Sequence, residues 1–392
     1  MLSKQPSFMK IAIIGGGIAG LTTAIALRQI GINVSIYEAN QELRPAGAGI
    51  ALAANAVKAF ELLGLRDKIL AHGNPFELFS ILNKQGKIIT ESNHFAAVEK
   101  YKVIGSFSIH RSDLQKTLLE AIEDIPLYLG HQFLTLTQNN EGVTLVFRNG
   151  HTATFDYVLA ADGIHSAVRQ QLVPDTKIRY AGYTCWRGVT DTAPSGLNPK
   201  QATETWASEG RFGIVPLQGG RIYWFACVNA PTGDEPRFRN FSKTDLLRHF
   251  GQLHAPVAQI IGLTPEKRIL HNDIIDLKPL RQLAYGKVLL IGDAAHAMTP
   301  NMGQGACQGI EDAVVLQRLI RQYPTDLSEV FQKFEAVRLP RTTTIVNRSF
   351  TLGKIAQASQ PGLIALRNAL FRLMPASMNN RQLDFIMDMN AA

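Results

Sequence analysis

Three turns rich in glycine and aspartate follow apolar runs at widely separated points of the chain. The first has the pattern GxGxxG and spans Gly15 to Gly20, directly after the apolar run from Ile11 to Ile14. The second is Asp162-Gly163, and the third is Gly292-Asp293. A GxGxxG turn lets its backbone approach a pyrophosphate, and the helix that follows offers N–H donors and partial positive charge. Together the turns indicate that separate segments hold one dinucleotide along its length.

Further residues near these turns suit particular parts of such a cofactor. Glu38 ends the second predicted strand, where its carboxylate can accept hydrogen bonds from a ribose diol; this favours FAD or NAD over a 2′-phosphorylated cofactor. Asp293 can bind a ribityl chain, and the glycine-rich helix start after it can offer N–H groups to reduced flavin. The candidate cofactor residues are Gly15, Gly17, Ala19, Gly20, Glu38, Ala39, Asp162, Gly163, Asp293, Pro300, Gly303, Gln304, Gly305 and Ala306.

Alternating α/β and β-rich segments position these turns. Hydrophobic periodicity predicts strand, turn, helix and strand over 10–38, and a β-meander over 132–156. Residues 177–228 are rich in aromatic and β-branched residues and are predicted as strands, with Tyr223 and Phe225 on one sheet face and Trp224 on the other. Helices are predicted over 54–63, 112–123 with Ser112 as N-cap, 244–261, 305–321 and 327–357.

Composition argues against several classes of protein. The 392 residues carry a formal net charge of +8, but the 40 Lys and Arg residues are scattered, so we expect attraction of small anions rather than nucleic-acid binding. No apolar run is long enough for a transmembrane segment, and the N-terminus lacks a secretory signal. The three cysteines have neither disulfide nor metal-ligand spacing, so we predict a cytoplasmic location and no metal site.

The motifs in this order resemble those of the single-component (class A) FAD-dependent aromatic hydroxylases, which include para-hydroxybenzoate and salicylate hydroxylases. Within that group, the stretches from Tyr180 to Arg187 and from Asn301 to Ala306 are similar to urate hydroxylases and zeaxanthin epoxidases. The fold class implied is α/β, with a Rossmann-like (GR2-type) FAD-binding domain interrupted by a β-sheet substrate domain and followed by C-terminal helices. The expected boundaries are 1–72, 102–175 and 280–345 for the FAD-binding domain, 73–101 and 176–279 for the substrate domain, and 346–392 for the helical tail.

The resemblance also implies roles for individual residues. Glu38 would hold the adenosine ribose, Arg44 and Arg111 would contact FAD, and Asp162-Gly163 would serve both FAD and NAD(P)H. Asp293 would hold the ribityl chain, with Gly303 to Ala306 along the isoalloxazine. Arg211 and Tyr223 stand where urate hydroxylases contact substrate, although a structural salt bridge for Arg211 and a packing role for Tyr223 fit the sequence as well. Asn301 stands where those enzymes carry an acid, which argues against urate.

The function implied is that of an FAD-dependent, NAD(P)H-consuming monooxygenase. O₂ would add to the reduced flavin at C4a, and the hydroperoxide would pass one oxygen atom to an electron-rich aromatic, heterocyclic or polyene small molecule, possibly an anionic aromatic. NADH or NADPH would visit transiently, because no second dinucleotide motif is found. A flavin-dependent reductase or dehydrogenase, a catalytically silent flavin- or ligand-binding protein, and an NAD-dependent dehydrogenase without flavin remain alternatives.

Three other features are interpreted as structural. His296 lies between Asp293 and Pro300, where a packing or hydrogen-bonding role is favoured over that of a catalytic base. Cys307 is interpreted as a small core residue rather than a nucleophile. The apolar stripe Leu363, Leu366, Leu370 and Leu373 is expected to pack onto the body of the protein rather than on a membrane surface.

Overall fold

The computed structural model describes residues 9–43, 48–93, 105–324, 326–373 and 385–386. Its strands are β1 (Lys10–Ile14), β2 (Asn33–Tyr37), β3 (Gly49–Leu52), β4 (Gly73–Pro75), β5 (Leu78–Leu82), β6 (Ile88–Asn93), β7 (Phe107–His110), β8 (Leu127–Tyr128), β9 (Phe133–Gln138), β10 (Val143–Phe147), β11 (Thr152–Phe155), β12 (Tyr157–Ala160), β13 (Ile178–Thr190), β14 (Gln201–Ala207), β15 (Gly210–Pro216), β16 (Ile222–Asn229), β17 (Leu270–Leu277), β18 (Ala284–Tyr285) and β19 (Val288–Leu290). Its α-helices are α1 (Ile18–Arg28), α2 (Ala54–Leu62), α3 (Arg66–Leu70), α4 (Arg111–Glu120), α5 (Ala167–Leu172), α6 (Lys243–Phe250), α7 (Val257–Leu263), α8 (Asp293–His296), α9 (Gly305–Gln322), α10 (Leu327–Ala356) and α11 (Pro361–Leu373).

A six-stranded sheet brings the three turns to one edge. Its strand order is β18-β19-β12-β1-β2-β8, and β19, β12, β1, β2 and β8 run parallel to one another. The central strands β1, β12 and β19 are short apolar runs that are almost entirely buried, as parallel sheets require. Since the first, second and third turns follow β1, β12 and β19, which are neighbours, their carboxyl ends meet at the same place.

A seven-stranded sheet with order β17-β13-β16-β15-β14-β5-β6 forms the second large layer. Its outer face carries Trp224 and Phe212, which pack with Phe250 and Ile260 of helices α6 and α7. Its inner face carries Tyr223 and Phe225, which belong to a separate apolar cluster. The predicted alternation along β16 is therefore confirmed.

The strands of this second sheet come from residues 78–93 and 178–277, inside the segments predicted as the substrate domain. The exact domain boundaries stay a prediction. Two three-stranded sheets complete the fold: β11-β10-β9 is the predicted meander, and β3-β7-β4 lies beside the seven-stranded sheet. The β3-β7-β4 sheet is in close contact with the seven-stranded sheet, because a Cβ atom placed on Gly49 of β3 would lie 2.5 Å from Tyr223 Cβ of β16.

Two predicted helices are corrected by the structure. Helix α4 begins one residue earlier than predicted, and His110, not Ser112, is its N-cap, since the His110 side chain accepts a hydrogen bond from Ser112 N. The single helix predicted over 244–261 is two helices, α6 and α7, separated at residues 251–256. Among the described residues, no helix is long and apolar enough to span a bilayer.

The apolar stripe of α11 does not pack onto the body as predicted. Leu363, Leu366, Leu370 and Leu373 are 50%, 57%, 58% and 79% exposed. The helix turns a different face inward: Phe371 meets the ring of Trp206 edge-on at 5.1 Å, and the buried Arg367 donates to the Ala356 carbonyl. An aromatic contact and a backbone hydrogen bond thus orient this helix, rather than its leucines.

Candidate cofactor and substrate site

The first turn packs tightly against the end of β12 on one side and is open on the other. A Cβ atom on Gly15 would lie 2.4 Å from the Ala161 carbonyl oxygen, and φ there is +107°, so only glycine fits. Gly17, by contrast, has nothing within 4 Å of a Cβ position. Helix α1 then begins without a side-chain cap or an acidic residue in its first turn, which leaves its N–H groups available to an anion.

The carboxylate of Glu38 lies against this turn. Its Oε2 accepts a hydrogen bond from Gly16 N at 2.8 Å, and its Oε1 accepts one from Asn40 N at 2.9 Å. Oε1 also accepts a hydrogen bond from Asn40 Nδ2 at 2.6 Å, so it is Oε2 that keeps a further lone pair for a ribose hydroxyl. The next residue, Ala39, is exposed at the same edge of the sheet.

The second turn leaves a buried acceptor without a partner. Asp162 Oδ2 accepts a hydrogen bond from Val168 N, but Oδ1 is buried and has no partner among the described residues. Burial raises the pKa of this carboxyl group above its usual range. Beside it, Gly163 has open space at its Cβ position. A ligand donor or water is therefore needed here.

The third turn touches the first turn directly. A Cβ atom on Gly292 would lie 2.7 Å from Ala19 Cβ, and one on Gly309 of α9 would lie 3.0 Å from the same atom. Asp293, the next residue, is exposed and begins α8. Since Gly15 contacts Ala161 and Ala19 lies beside Gly292, all three turns converge on one place.

The start of α9 offers a second uncapped helix end. Pro300 and Gly303 are exposed before it, and Gly305 and Ala306 form its partly exposed first turn. Gln304 is fully buried, and its Oε1 accepts hydrogen bonds from Asn55 and Gln308, whereas Nε2 has no partner among the described residues. An unpartnered amide donor beside free helix N–H groups suits the polar edge of a ring.

A buried charge cluster holds the third turn in place. Asp312 Oδ2 accepts hydrogen bonds from Gly292 N at 2.8 Å and from His296 Nε2 at 2.7 Å, while its Oδ1 accepts one from Arg338 Nε at 2.7 Å. Arg338 also bonds Glu311. Although burial opposes it, the charges of His296 and Arg338 hold the pKa of Asp312 near 2. The structure confirms the hydrogen-bonding role predicted for His296.

Two further residues, Arg44 and Arg111, were predicted to contact the cofactor. Arg111 is exposed at the first position of α4, and its backbone N–H donates to the Ala48 carbonyl. Arg44 lies outside the described residues. Cys307 is a buried residue of the first turn of α9, and burial raises its pKa to about 12, so it is a core thiol rather than a nucleophile.

These features fit FAD. A nucleotide pyrophosphate suits the uncapped α1, a ribose diol suits Glu38, and a flavin ring with polar edge atoms suits the α9 start and the orphaned Gln304 amide. The open space at Gly17, Gly163 and Gly303 allows backbone approach along that whole path. The individual role of each residue stays a prediction.

The inner face of the seven-stranded sheet forms an apolar wall near these turns. Tyr223 and Phe225 of β16 are cross-strand neighbours of Val215 and Gly213 of β15. They share an apolar cluster with Phe76, Ala202, Phe79 and Ala51. Burial raises the pKa of the Tyr223 hydroxyl above its usual range, and that hydroxyl makes no hydrogen bond within the described part of the chain. Aromatic walls with a single polar group suit a planar ring.

Arg211 lies at the end of this wall, and each of its nitrogens already donates a hydrogen bond. Nη1 lies 3.0 Å from Glu204 Oε1, Nη2 lies 2.9 Å from Asn301 Oδ1, and Nε lies 2.8 Å from Gln357 Oε1. The Tyr183 hydroxyl donates to the same Asn301 oxygen at 3.0 Å. Arg211 therefore occupies the predicted position, but within an ion pair.

Sequence reasoning missed Glu204 and the contact between Asn301 and Arg211. The turn at Ser208-Glu209 followed by Gly210 fixes the pairing of β14 with β15, and this register sets Trp206 opposite Arg211. Glu204 is two residues before Trp206 and so lies diagonally beside Arg211 on the same face. The hairpin pattern in the sequence could therefore have predicted that Glu204 lies beside Arg211. The contact to Asn301 joins segments 90 residues apart and left no local signal.

Comparisons with known proteins agree with this geometry. Residues 9–349 match the family described as FAD binding domain. Aurachin C monooxygenase/isomerase from Stigmatella aurantiaca is 38% identical, over 93% of this chain and 94% of that protein. An FAD-dependent urate hydroxylase from Klebsiella pneumoniae is 33% identical, over 92% of this chain and 94% of its own length. The crystal structure of Klebsiella pneumoniae HpxO complexed with FAD and uric acid is 29% identical and superposes with a TM-score of 0.89, covering 97% of both chains.

Proposed function

Because the chain belongs to the FAD binding domain family and is an FAD-dependent monooxygenase, we propose that it consumes NADH or NADPH to insert one oxygen atom from O₂ into an aromatic or heterocyclic small molecule. The substrate ring lies between the flavin and the inner face of the seven-stranded sheet. The observation that supports this most is the convergence of the three turns at β1, β12 and β19, together with the contact between the segment leading into α9 and the seven-stranded sheet, where Arg211 Nη2 donates to Asn301 Oδ1 at 2.9 Å.

The cofactor lies across the carboxyl edge of the six-stranded sheet in this proposal. The N–H groups of α1 bind the pyrophosphate, Glu38 binds the adenosine ribose, and Asp293 binds the ribityl chain. Arg44 and Arg111 contact FAD, the latter from the first position of α4. Gly303 to Ala306 line the isoalloxazine, where the N-terminus of α9 stabilises negative charge on the ring.

FAD supplies the redox chemistry when bound, taking a hydride from the nicotinamide and activating O₂. The protein's own residues provide placement and shielding. The apolar wall around Phe225 and Val215 would exclude water from the reacting edge and so limit side reactions with water. The reductant approaches at Asp162-Gly163, where the Cβ position of Gly163 has open space and the buried Asp162 Oδ1 lacks a partner among the described residues.

The cytoplasmic location expected from the sequence belongs to this proposal too. Cys185, Cys227 and Cys307 are all free, buried thiols, in keeping with a reducing compartment.

The test uses purified FAD-loaded protein with NADH or NADPH, ¹⁸O₂ and a panel of aromatic and heterocyclic compounds. Substrate-stimulated NAD(P)H oxidation and a product heavier by one ¹⁸O atom are expected. NAD(P)H oxidation with a reduced, oxygen-free product would instead favour a reductase. Flavin that no nicotinamide reduces under any condition would favour a silent binding protein.

A further inference from the structure

We infer that Cys185 and Cys227 form a modification site on the inner face of the seven-stranded sheet, a dithiol that hydrogen peroxide converts to a disulfide. Both residues are free thiols in this structure, as is Cys307. The inference goes beyond the proposed function and does not depend on it, because the reaction needs neither a substrate nor a nicotinamide.

The two cysteines are direct neighbours on adjacent antiparallel strands. Cys185 of β13 stands opposite Cys227 of β16, in a register without irregularity. At the end of that ladder, Ala230 N donates to the Gly182 carbonyl at 3.1 Å, so these two residues are a hydrogen-bonded pair. Hydrogen-bonded and non-hydrogen-bonded pairs alternate along an antiparallel ladder. Cys185 and Cys227, three positions away on each strand, are therefore a non-hydrogen-bonded pair.

The ladder on the other side of β16 leads to the same assignment. At the hairpin between β15 and β16, Leu217 N donates to the Arg221 carbonyl at 2.8 Å. Six positions along each strand, Arg211 stands opposite Cys227, so those two residues are a hydrogen-bonded pair. The backbone N–H and C=O of Cys227 thus face β15, and its pairing with β13 is of the other kind.

This kind of pair suits a disulfide. Residues opposite each other in a non-hydrogen-bonded pair have Cα atoms about 4.5 Å apart, and their side chains are close. A disulfide joins residues whose Cα atoms are about 4.4–6.8 Å apart. Cys185 and Cys227 share one apolar cluster with Tyr183 and Ile274, and they are 3% and 1% exposed. The bond can therefore form without a change of register.

The dithiol adjoins the candidate substrate site. Phe225 packs against the cluster that contains both cysteines, and it also belongs to the apolar wall with Tyr223. Side chains alternate along a strand, so Cys227 lies on the same face of β16 as Phe225. A small oxidant that enters the site reaches the two thiols from this side.

An arginine without an anionic partner lies beside Cys185. Arg187 is two residues further along β13, on the same face. Its Nη2 donates to Asn272 Oδ1 at 2.6 Å, but its Nε is buried without a partner, and no carboxylate pairs with it among the described residues. A thiolate at position 185 would supply the missing negative charge.

The surroundings favour Cys185 as the thiol that reacts first. A hydrogen bond from Cys227 lowers the pKa of Cys185, and the charges of Arg187 and Arg211 lower it further, although burial opposes them. The same hydrogen bond and burial raise the pKa of Cys227. As a thiol, Cys185 Sγ donates only weakly, to the Trp186 carbonyl at 3.4 Å. Since the thiolate is the nucleophile, Cys185 attacks and Cys227 closes the bond.

The reaction balances with hydrogen peroxide as the oxidant. The Cys185 thiolate attacks one peroxide oxygen and becomes a sulfenic acid, while the O–O bond breaks and the departing hydroxide takes up the proton lost by the thiol. The Cys227 thiol then attacks the sulfenic sulfur, which forms the S–S bond and releases a second water. The two sulfur atoms lose two electrons in total, and the peroxide is reduced to water.

Cys307 provides a contrast within the same chain. It lies in the first turn of α9, where its Sγ donates to the Gly303 carbonyl at 3.4 Å, and burial raises its pKa to about 12. No second cysteine is its strand neighbour, so we expect Cys307 to stay reduced.

The test treats FAD-loaded protein with H₂O₂, alkylates the remaining thiols under denaturing conditions and measures the mass of the chain. The wild type should lose about 2 Da, the mass of the two thiol hydrogens, and should then take up an alkyl group only at Cys307. Non-reducing peptide mapping should find Cys185 joined to Cys227 within one chain. Treatment with dithiothreitol should restore all three free thiols.

Variants then assign the two roles. Cys227→Ala lacks the thiol that closes the bond, so Cys185 should gain oxygen instead of forming a disulfide. Cys307→Ala is the matched control and should form the disulfide as the wild type does. Arg187→Gln should slow disulfide formation about threefold or more, because the cation that favours the Cys185 thiolate is gone. Arg28→Gln, which removes an exposed arginine paired with Asp124, should keep the wild-type rate.

A treated wild type that keeps three alkylatable thiols would overturn the inference without any variant. So would a disulfide that includes Cys307 or joins two chains. An unchanged rate in Arg187→Gln would overturn the activation of Cys185 by that arginine. The two proposals fail separately: the mass measurement stands whether or not any compound is oxygenated, and ¹⁸O incorporation stands whether or not the disulfide forms.

Discussion

Ala19 and Gly292 lie in contact although 273 positions separate them, and Ala19 Cβ occupies the space that a side chain at position 292 would need. The backbone at Gly292 has φ of +57° and ψ of −143°, a conformation that essentially only glycine adopts. The two turns that bracket the chain's cofactor motifs thus pack on each other before any ligand is considered.

Substitution of Gly292 tests this contact. Gly292→Ala combines backbone strain with a steric clash at Ala19, so we expect a loss of about 1–3 kcal/mol in unfolding free energy and weaker FAD retention. Urea unfolding and the flavin content of purified protein measure both. Gly262→Ala in α7 is the matched control, because nothing lies within 4 Å of its Cβ position. Equal effects in the two variants would contradict the proposed contact.

Asp293 should matter for FAD affinity but not for the fold. Its carboxylate is exposed and begins α8. For Asp293→Ala we expect roughly a tenfold rise in the FAD dissociation constant, about 1.4 kcal/mol, and an unchanged Tm of the FAD-free protein. Titration of apo-protein with FAD, followed by fluorescence quenching, measures it. Asp175→Ala, an exposed aspartate elsewhere, should leave FAD affinity unchanged.

Removal of Arg338 should destabilise the whole FAD region. Arg338 is fully buried and pairs with both Glu311 and Asp312. Arg338→Met leaves two carboxylates without this partner, and breaking a buried pair in this way costs about 3–5 kcal/mol. Urea unfolding is the measurement. Arg248→Met breaks the exposed pair with Asp245 and should leave the midpoint unchanged; a similar loss there would show that burial is not the cause.

The same cluster predicts the response to acid. The pKa of Asp312 is held near 2 in the folded protein, and that of Glu311 is also lowered. Both lie below their unfolded values of about 4, so this stabilisation is fully present above about pH 4 and is lost as the pH falls toward 2. Urea midpoints between pH 7 and pH 2.5 should fall more steeply for the wild type than for Asp312→Asn. Parallel curves would show that Asp312 does not contribute.

Helix α11 should be held by its aromatic contact rather than by its leucines. Phe371→Ala removes the packing against Trp206 and is expected to cost about 1–2 kcal/mol, because the ring is partly buried. Leu366→Ser alters a side chain that is 57% exposed and should change the Tm little. Thermal unfolding of both variants measures the difference. A larger loss for Leu366→Ser would mean that the apolar stripe is packed after all.

Much of the fold was predictable because its signals are local. Apolar runs that end in glycine and aspartate predicted β1, β12 and β19, and alternation predicted the two faces of β16. The split between α6 and α7 was missed although Gly251, at the C-cap of α6, and Pro256, at the N-cap of α7, both signal a helix boundary. The exposed face of α11 was missed because periodicity shows that a helix is amphipathic but not which neighbour it meets.

The candidate site was predictable only where one segment carries the chemistry. Glycine spacing and the position of Glu38 pointed to the cofactor because the ligand itself imposes that spacing. The hydrogen bonds of the Arg211 guanidinium go to Glu204, Asn301 and Gln357, which come from three separate segments of the chain. Contacts between distant segments leave no periodic pattern in the sequence. Arg211, a candidate contact for an anionic substrate, therefore proved to be paired with Glu204.

Asn301 belongs to the segment that leads into α9, yet its side-chain oxygen is bound by Tyr183 and Arg211 of the seven-stranded sheet. A shift of that segment therefore alters hydrogen bonds on both sides of the active site at once. Linked equilibria are reciprocal. If bound FAD raises the affinity for the substrate ring by some factor, the bound ring must raise the affinity for FAD by the same factor.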